Sequence, residues 1–397
     1  MNLTTATTQP PYLREEILDI EFLPPFMKAV CILFYSVLCA GAVYGNILVI
    51  LVISYFQCLR TATNMLILNL AVADLLIAVC CIPFSYWQVL IFDDQRWLFG
   101  STLCSLLAFL QAMAVFLSAW TLVVISFDRW VAIMFVMSPT VRITRRRALY
   151  LITATWMFSI LMAFPLFFTT RTIPLNDEIE NCGEDWTAFG SAGDQIRKYY
   201  STMVLVLQYV VPQAVLIITY THIGLRMWNS RVPGSQKLIN DRHESVKKLI
   251  PMVILISAMF ALCWLPLLLL INVVPEIYPG INSWPYILYL WWFAHGLAMM
   301  HSLTNPVVYY VRNARFREGF IFFSSRIFPW VQFKEFQLLN GSNTKSFYNR
   351  SRHSVSANPT EVINMMEKTR ALEYGSLYAK SKSSSSHATI HRTATIV

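Results

Sequence analysis

Seven apolar stretches of about 20 residues or more recur along the chain, near residues 28–55, 62–90, 103–134, 148–168, 199–227, 246–272 and 285–311. About 20 residues of α-helix cross the hydrocarbon core of a bilayer. In lipid, only structures that satisfy every backbone polar group internally persist. The pattern predicts an all-α membrane protein, a seven-transmembrane-helix bundle over 28–311 preceded by an extracellular N-terminal segment, 1–27.

Two short strings place a proline among polar or aromatic groups inside such a run: Phe260 to Pro266, with Cys263-Trp264-Leu265 between, and Asn305-Pro306-Val307-Val308-Tyr309. Proline inside a helix removes a backbone hydrogen bond and kinks it. A membrane retains such irregularity where it faces protein or a water-filled cavity. Two kinked spans suggest a bundle that changes shape.

Composition sharpens the picture. The 397 residues are 56% hydrophobic and only 13% charged, where a soluble domain carries about a quarter charged residues. The net charge of +9 is polarised. Arg142, Arg145, Arg146 and Arg147 follow helix 3, and Arg226, Arg231, Lys237, Arg242, Lys247 and Lys248 follow helix 5, whereas the opposite segments are acidic. The positive-inside rule then puts the C-terminus in the cytosol and the N-terminus outside. Topology and anionic-lipid contact account for the charge, and no nucleic-acid partner is inferred. The first 25 residues are polar and lack an apolar core, so helix 1 is expected to act as signal anchor. Asn2-Leu3-Thr4 is a glycosylation sequon on the outer side. Of eight cysteines, Cys104 and Cys182 fall in outward-facing positions, most simply as one disulfide.

Asn46, Asp74, Ser118 and Asn305 stand at mid-membrane in four different helices, where polar groups are costly and so point to function. Two readings stand: a small polar cavity holding water or a sodium ion, with Asp74 as the anionic ligand, or a hydrogen-bonded plug that only ties helices together. No basic partner for Asp74 is expected within the spans. Helix 3 acts as a ruler, because Cys104, Gln111, Ser118 and Arg129 recur near one face. Arg129 either pairs with Asp128 at rest and releases it when a cytosolic partner docks, or is an ordinary snorkelling arginine.

Together these residues resemble the rhodopsin-like (class A) family of G-protein-coupled receptors. The strings are Gly45-Asn46, Leu70-Ala71-Val72-Ala73-Asp74, Cys104, Asp128-Arg129-Trp130, Trp156, Pro212, Tyr220, Phe260…Cys263-Trp264-Leu265-Pro266 and Asn305-Pro306…Tyr309. The resemblance implies a bundle opened by an extracellular ligand, with Trp264 and Phe260 as the hinge. It implies that Tyr220, Arg129 and Tyr309 rearrange to expose a groove for a heterotrimeric G protein. Residues 312–323, with four phenylalanines and three arginines, resemble the family's amphipathic eighth helix on the inner leaflet. Segment 312–334 is assigned to that helix and a membrane-proximal tail, and 335–397 to a disordered cytosolic tail. With no cysteine after Cys263, lipid anchoring is expected to rest on the phenylalanines and arginines.

Departures from the family pattern carry expectations of their own. Val246 stands where many relatives carry an acid that locks Arg129 to helix 6, so appreciable basal activity is expected unless Glu244 substitutes. Ala119 stands where an isoleucine usually packs, which loosens the relay to Pro212 and Phe260. His301 replaces a common asparagine beside the polar cavity, either as a cation opposing sodium or as a neutral hydrogen-bonded ring.

The ligand is narrowed by exclusion. Gln111 stands where amine receptors of the family need an aspartate, and residues 285–311 lack the lysine an opsin needs. Pro83-Phe84, Trp97-Leu98-Phe99-Gly100, Phe109-Leu110-Gln111 and His295…Ala298-Met299 resemble receptors for neuropeptide Y, neuropeptide F and related amidated peptides. Such peptides end in Arg-Phe-amide or Arg-Tyr-amide. The amide needs neutral donors and acceptors, supplied by Gln111 and His295. The arginine needs a carboxylate, for which Glu276 is the candidate and Glu178, Glu180 and Asp94 the competitors. The aromatic terminus is expected among Trp87, Phe116, Trp264 and Trp291, residues whose alternative role is helix packing.

In the tail, Ser381 and Ser383 to Ser386 form a receptor-kinase cluster for arrestin. Thr395-Ile396-Val397 resembles a PDZ ligand. The favoured reading is a plasma-membrane neuropeptide receptor coupled to an inhibitory G protein. A class A receptor for another peptide or a lipid is the alternative. A transporter or channel would show repeat symmetry, which is not seen, and no catalytic constellation is present.

Overall fold

A computed structural model describes residues 23–86, 96–135, 139–174, 179–229, 237–281, 284–328 and 330, with side chains outside 227–249. The spans are α1 Pro25–Tyr55, α2 Ala62–Tyr86, α3 Gly100–Met134, α4 Arg145–Thr169, α5 Gly193–Leu205 continued as Val211–Asn229, α6 Lys237–Asn272 and α7 Ile287–Arg312. Among the described residues, six helices are long and apolar enough to cross a membrane. The seventh, α7, is long enough but carries His295, His301, Ser302, Thr304 and Asn305 along its length. That polarity is tolerable because these groups turn inward, where protein replaces lipid.

Side-chain caps start several helices. Thr61 Oγ1 accepts from Asn64 N at 3.2 Å, Thr144 Oγ1 from Arg147 N at 3.3 Å, and Asn313 Oδ1 from Arg315 N at 3.1 Å. Helix α3 is the central post, touching α2, α4, α5 and α6, while α7 packs on α6, α1 and α2. Pro266 and Pro306 sit inside continuous helices, as the sequence predicts. The α1–α7 approach demands glycine at position 45, where a Cβ would lie 2.7 Å from the Pro306 ring.

Two π turns escape the hydrophobic pattern: Ile77–Cys81 in α2 and Val206–Val210 in α5. A π turn displaces backbone groups from the regular ladder. In α5 the Leu207 carbonyl accepts from Trp120 Nε1 at 3.0 Å, and Tyr209 OH donates to the Ala261 carbonyl at 2.9 Å. The turn therefore ties α5 to α3 and α6.

A β-hairpin that the periodicity does not predict covers the end of the bundle expected to face outward. Strands β1 Thr170–Pro174 and β2 Glu180–Glu184 pair antiparallel, with Thr172 opposite Cys182. The expected Cys104–Cys182 disulfide fastens β2 to α3, and Trp97 N donates to the Glu180 carbonyl at 2.7 Å. Burial pushes the Asp185 carboxyl up, but hydrogen bonds from Thr187 and the Arg171 guanidinium outweigh it and leave it below the usual carboxylate range.

In helix α8, Ala314–Ile327, the aromatic face packs partly on protein. Phe316 and Phe320 are buried, Tyr309 and Tyr310 lying over them at 5.4 and 6.1 Å. Phe322 and Phe323 are half-buried against Tyr55 and Phe56. Tyr44 OH and Ser324 Oγ share a hydrogen bond at 2.7 Å. At Gly319 a Cβ would meet Val52 at 2.7 Å, so only glycine admits this seating.

Candidate functional site

Of the four mid-membrane groups, three meet directly. Asn305 Nδ2 donates to Asp74 Oδ2 at 2.6 Å and Ser118 Oγ to Asp74 Oδ1 at 3.4 Å. Asn46 lies one step away, donating to the carbonyls of Ala42 and Ser302 at 2.9 Å each. His301 Nδ1 stands 3.8 Å from Asp74 Oδ1, beyond hydrogen-bond reach, so the ring lies beside the carboxylate without bonding to it. The cause is register, because His301 is one helical turn before Asn305 and shares its face. Asn46 Oδ1, Asn305 Oδ1, His301 Nδ1, Ser302 Oγ and Tyr309 OH are buried with no hydrogen-bond partner among the described residues. Buried polar atoms need partners. Oxygen donors around a carboxylate are chemistry that a hard cation or ordered water fits.

Above this cavity lie Phe260 and Trp264, the residues expected to form the hinge. The Phe260 ring lies 6.1 Å from Trp264 and meets His301 edge-on at 5.0 Å. Aromatic contact therefore joins α6 to the polar cavity.

At the inner end, Arg129 donates to Asp128 Oδ2 through Nε at 3.1 Å and through Nη2. Thr63 of α2 donates to the same Oδ2 at 2.8 Å and accepts from Arg129 Nη2. The snorkelling reading of Arg129 is thereby displaced: its head is buried and paired. Tyr220 OH bonds to Ser257 Oγ at 3.0 Å, tying α5 to α6. Ile133, Ile223 and Ile250 seal α3, α5 and α6 together, with Trp130 and Tyr220 against them. Thr61, Thr63, Asp128, Arg129 and Arg142 line a concavity of about 260 Å³ beside this seal. The side chains of Glu244 and Val246 lie outside the described residues, as do all of Asn2, Trp87, Asp94 and Glu178. So do the serine cluster and Thr395–Val397 in the tail.

The outer residues divide. Gln111 is half-buried on α3, and its amide has no partner among the described residues. His295 is buried; its Nδ1 shares a hydrogen bond with Tyr35 OH of α1 at 2.7 Å, and its ring stacks on Trp291 at 4.7 Å. Through this bond His295 joins α7 to α1. Phe116 is fully buried and meets Phe158 of α4 edge-on at 6.0 Å, in keeping with the helix-packing alternative. Trp264 is buried too, its Nε1 without a hydrogen-bond partner among the described residues, whereas Trp291 is half-buried. Glu276, on a short helical turn Val274–Ile277, is exposed and pairs with Lys198 of α5 at 3.1 Å. Glu180 is exposed on β2. Tyr35, Thr63, Lys198 and Ser257 are partners that local sequence pattern does not reveal.

A seven-helix bundle with a disulfide-fastened outer hairpin, a polar core around Asp74 and a capped arginine at its inner end defines a membrane receptor. Residues 45–309 match the family described as 7 transmembrane receptor (rhodopsin family). The chain is 72% identical over 360 residues to neuropeptide receptor 22 of Caenorhabditis elegans, covering 89% of this chain and 83% of that protein. It is 35% identical over 323 residues to the RYamide receptor of Tribolium castaneum, covering 77% and 84%. It is 31% identical over 336 residues to the neuromedin-K receptor of Rattus norvegicus, covering 83% and 70%. The chain belongs to the rhodopsin family of seven-transmembrane receptors.

Proposed function

We propose that this chain is a plasma-membrane receptor for a C-terminally amidated neuropeptide of the Arg-Tyr-amide or Arg-Phe-amide type. Its N-terminus is extracellular, and it signals through a heterotrimeric G protein of the inhibitory class. The similarity to an RYamide receptor over most of both chains carries the reading. The half-buried, unpartnered Gln111 amide supports it, offering a neutral donor and acceptor to a terminal amide. Glu276 at the mouth offers the carboxylate that a guanidinium binds.

In mechanism, peptide and G protein each bind one of two bundle states more tightly, which couples their affinities reciprocally. Movement of Trp264 passes through Phe260 to His301 and the Asp74 cavity. Outward swing of α6 breaks the Tyr220–Ser257 bond, and Arg129 leaves Asp128 and Thr63 to meet the G protein. Asp74, with Ser118, Asn46 and Asn305 around it, would hold water or an allosteric sodium ion in the resting state through side-chain oxygen atoms. Phosphates on Ser381 and Ser383 to Ser386 recruit arrestin, and Thr395–Val397 binds a PDZ domain.

The test is a calcium response in cells carrying a promiscuous G-protein α subunit, read against a library of amidated peptides. Submicromolar activation by Arg-Tyr-amide or Arg-Phe-amide peptides, lost when the amide becomes an acid, is expected. Silence from receptor verified at the surface sinks the ligand assignment.

A further inference from the structure

On the lipid-facing side of the bundle a groove of about 380 Å³ runs between α3, α4 and α5, floored by Trp120, Val124, Phe127, Leu151, Ala154 and Phe158. Its two hydrogen-bonding side chains are spent internally. Trp120 Nε1 donates to the Leu207 carbonyl at 3.0 Å and Thr155 Oγ1 to the Ile152 carbonyl at 2.8 Å. The groove thus offers an occupant hydrocarbon contact alone.

The inner end differs. Arg145, Arg146 and Arg147 open α4 and are all exposed, and no carboxylate pairs with them among the described residues. Arg147 Nη1 donates only to the neutral carbonyls of Thr140 and Arg142, at 2.8 and 3.1 Å, so its charge stays uncompensated. Arg147 lies four residues before Leu151 and eleven before Phe158, on the face of α4 that forms the groove wall. Eleven residues of helix rise about 16 Å, and half a hydrocarbon core of about 30 Å is about 15 Å. The groove therefore spans one leaflet, from a cationic foot at the cytosolic interface to the middle of the membrane.

We propose that this groove is a binding site for one anionic phospholipid of the inner leaflet, with an acyl chain along Phe127, Leu151 and Phe158 and the headgroup phosphate on Arg147. A guanidinium recognises phosphate oxygens in bidentate geometry. A sterol hydroxyl would gain little from this cation. Another transmembrane helix, about 10 Å across, needs small residues for close approach, and Trp120, Phe127 and Phe158 bar it.

The site is tested on the full-length receptor by native mass spectrometry, with phosphatidylserine and phosphatidylcholine supplied in equal amounts. Wild-type receptor should retain one phosphatidylserine in severalfold excess over phosphatidylcholine. The change Arg147→Gln should bring the two lipids to parity. Ala154→Trp and Val124→Trp, which fill the groove from α4 and α3, should each release the lipid. Equal retention of the two lipids by wild type overturns the proposal. So does phosphatidylserine that survives both filling variants, or a sterol that displaces the lipid irrespective of Arg147.

Discussion

His301 Nδ1 lies 3.8 Å from Asp74 Oδ1, and both side chains are fully buried between α2 and α7. An imidazole is bulkier than an amide and occupies space beside the carboxylate where a cation would be coordinated. His301→Asn should therefore enlarge the effect of sodium on agonist affinity severalfold, and Asp74→Asn should abolish it. Peptide displacement in sodium against N-methylglucamine buffer checks both. Equal sodium sensitivity in wild type and His301→Asn would show that the ring does not crowd the ion.

Arg129 is held by Asp128 on its own helix and by Thr63 on α2. A hydrogen bond to a charged group contributes about 1.5 kcal/mol or more, and about 1.4 kcal/mol is tenfold in an equilibrium. Thr63→Val removes both the brace on Asp128 and an acceptor for Arg129. Agonist-independent signalling should rise up to about tenfold over wild type at matched surface expression. The wild type itself should signal above vector-only cells. An unchanged basal signal in Thr63→Val would mean that restraint comes from elsewhere, with the Tyr220–Ser257 bond next in line.

How much of this was legible in the sequence follows from where each signal resides. Asp74, Asn305, Pro266 and Pro306 are visible because each violates what lipid permits, a local property of the chain. Cys104 and Cys182 are visible because topology leaves two cysteines outside. Tyr35 and His295, by contrast, meet across a separation of 260 residues, and neither carries a local mark of the other. The π turn at Val206–Val210 is equally silent, since the Trp120 and Ala261 contacts beside it are tertiary. Amphipathic periodicity in α8 reveals an apolar face, yet it cannot say whether lipid or Tyr55, Phe56 and Tyr309 will cover that face.

Gly45 leaves α1 no spare distance from α7. A methyl group at this position would lie 2.7 Å from Pro306 Cβ and 2.8 Å from its Cγ, both parts of a rigid ring. Overpacking of this kind costs about 1–3 kcal/mol. Gly45→Ala should lower the unfolding midpoint of detergent-solubilised receptor by several degrees. It should also disturb the adjacent Asn46–Ser302 bond and so change the response to ligand. Gly224, which has open space around its Cβ position, serves as the control and should tolerate alanine.

The Lys198–Glu276 pair bridges α5 and the short turn beyond α6 at the mouth of the bundle, with both side chains more than half exposed. Exposed pairs contribute about 0.2–1 kcal/mol, so a guanidinium offering two parallel bonds can replace the single ammonium contact. If Glu276 receives the ligand's arginine, Lys198 competes with that arginine. Lys198→Met should then improve the potency of an arginine-containing amidated peptide up to about fivefold. The same change should leave a citrulline analogue of that peptide unaffected. Glu276→Gln should weaken the arginine peptide and erase the benefit of Lys198→Met in the double variant. Additive effects in that double variant would show that the residues act separately, and unaltered potency in Glu276→Gln would remove the residue from the binding site.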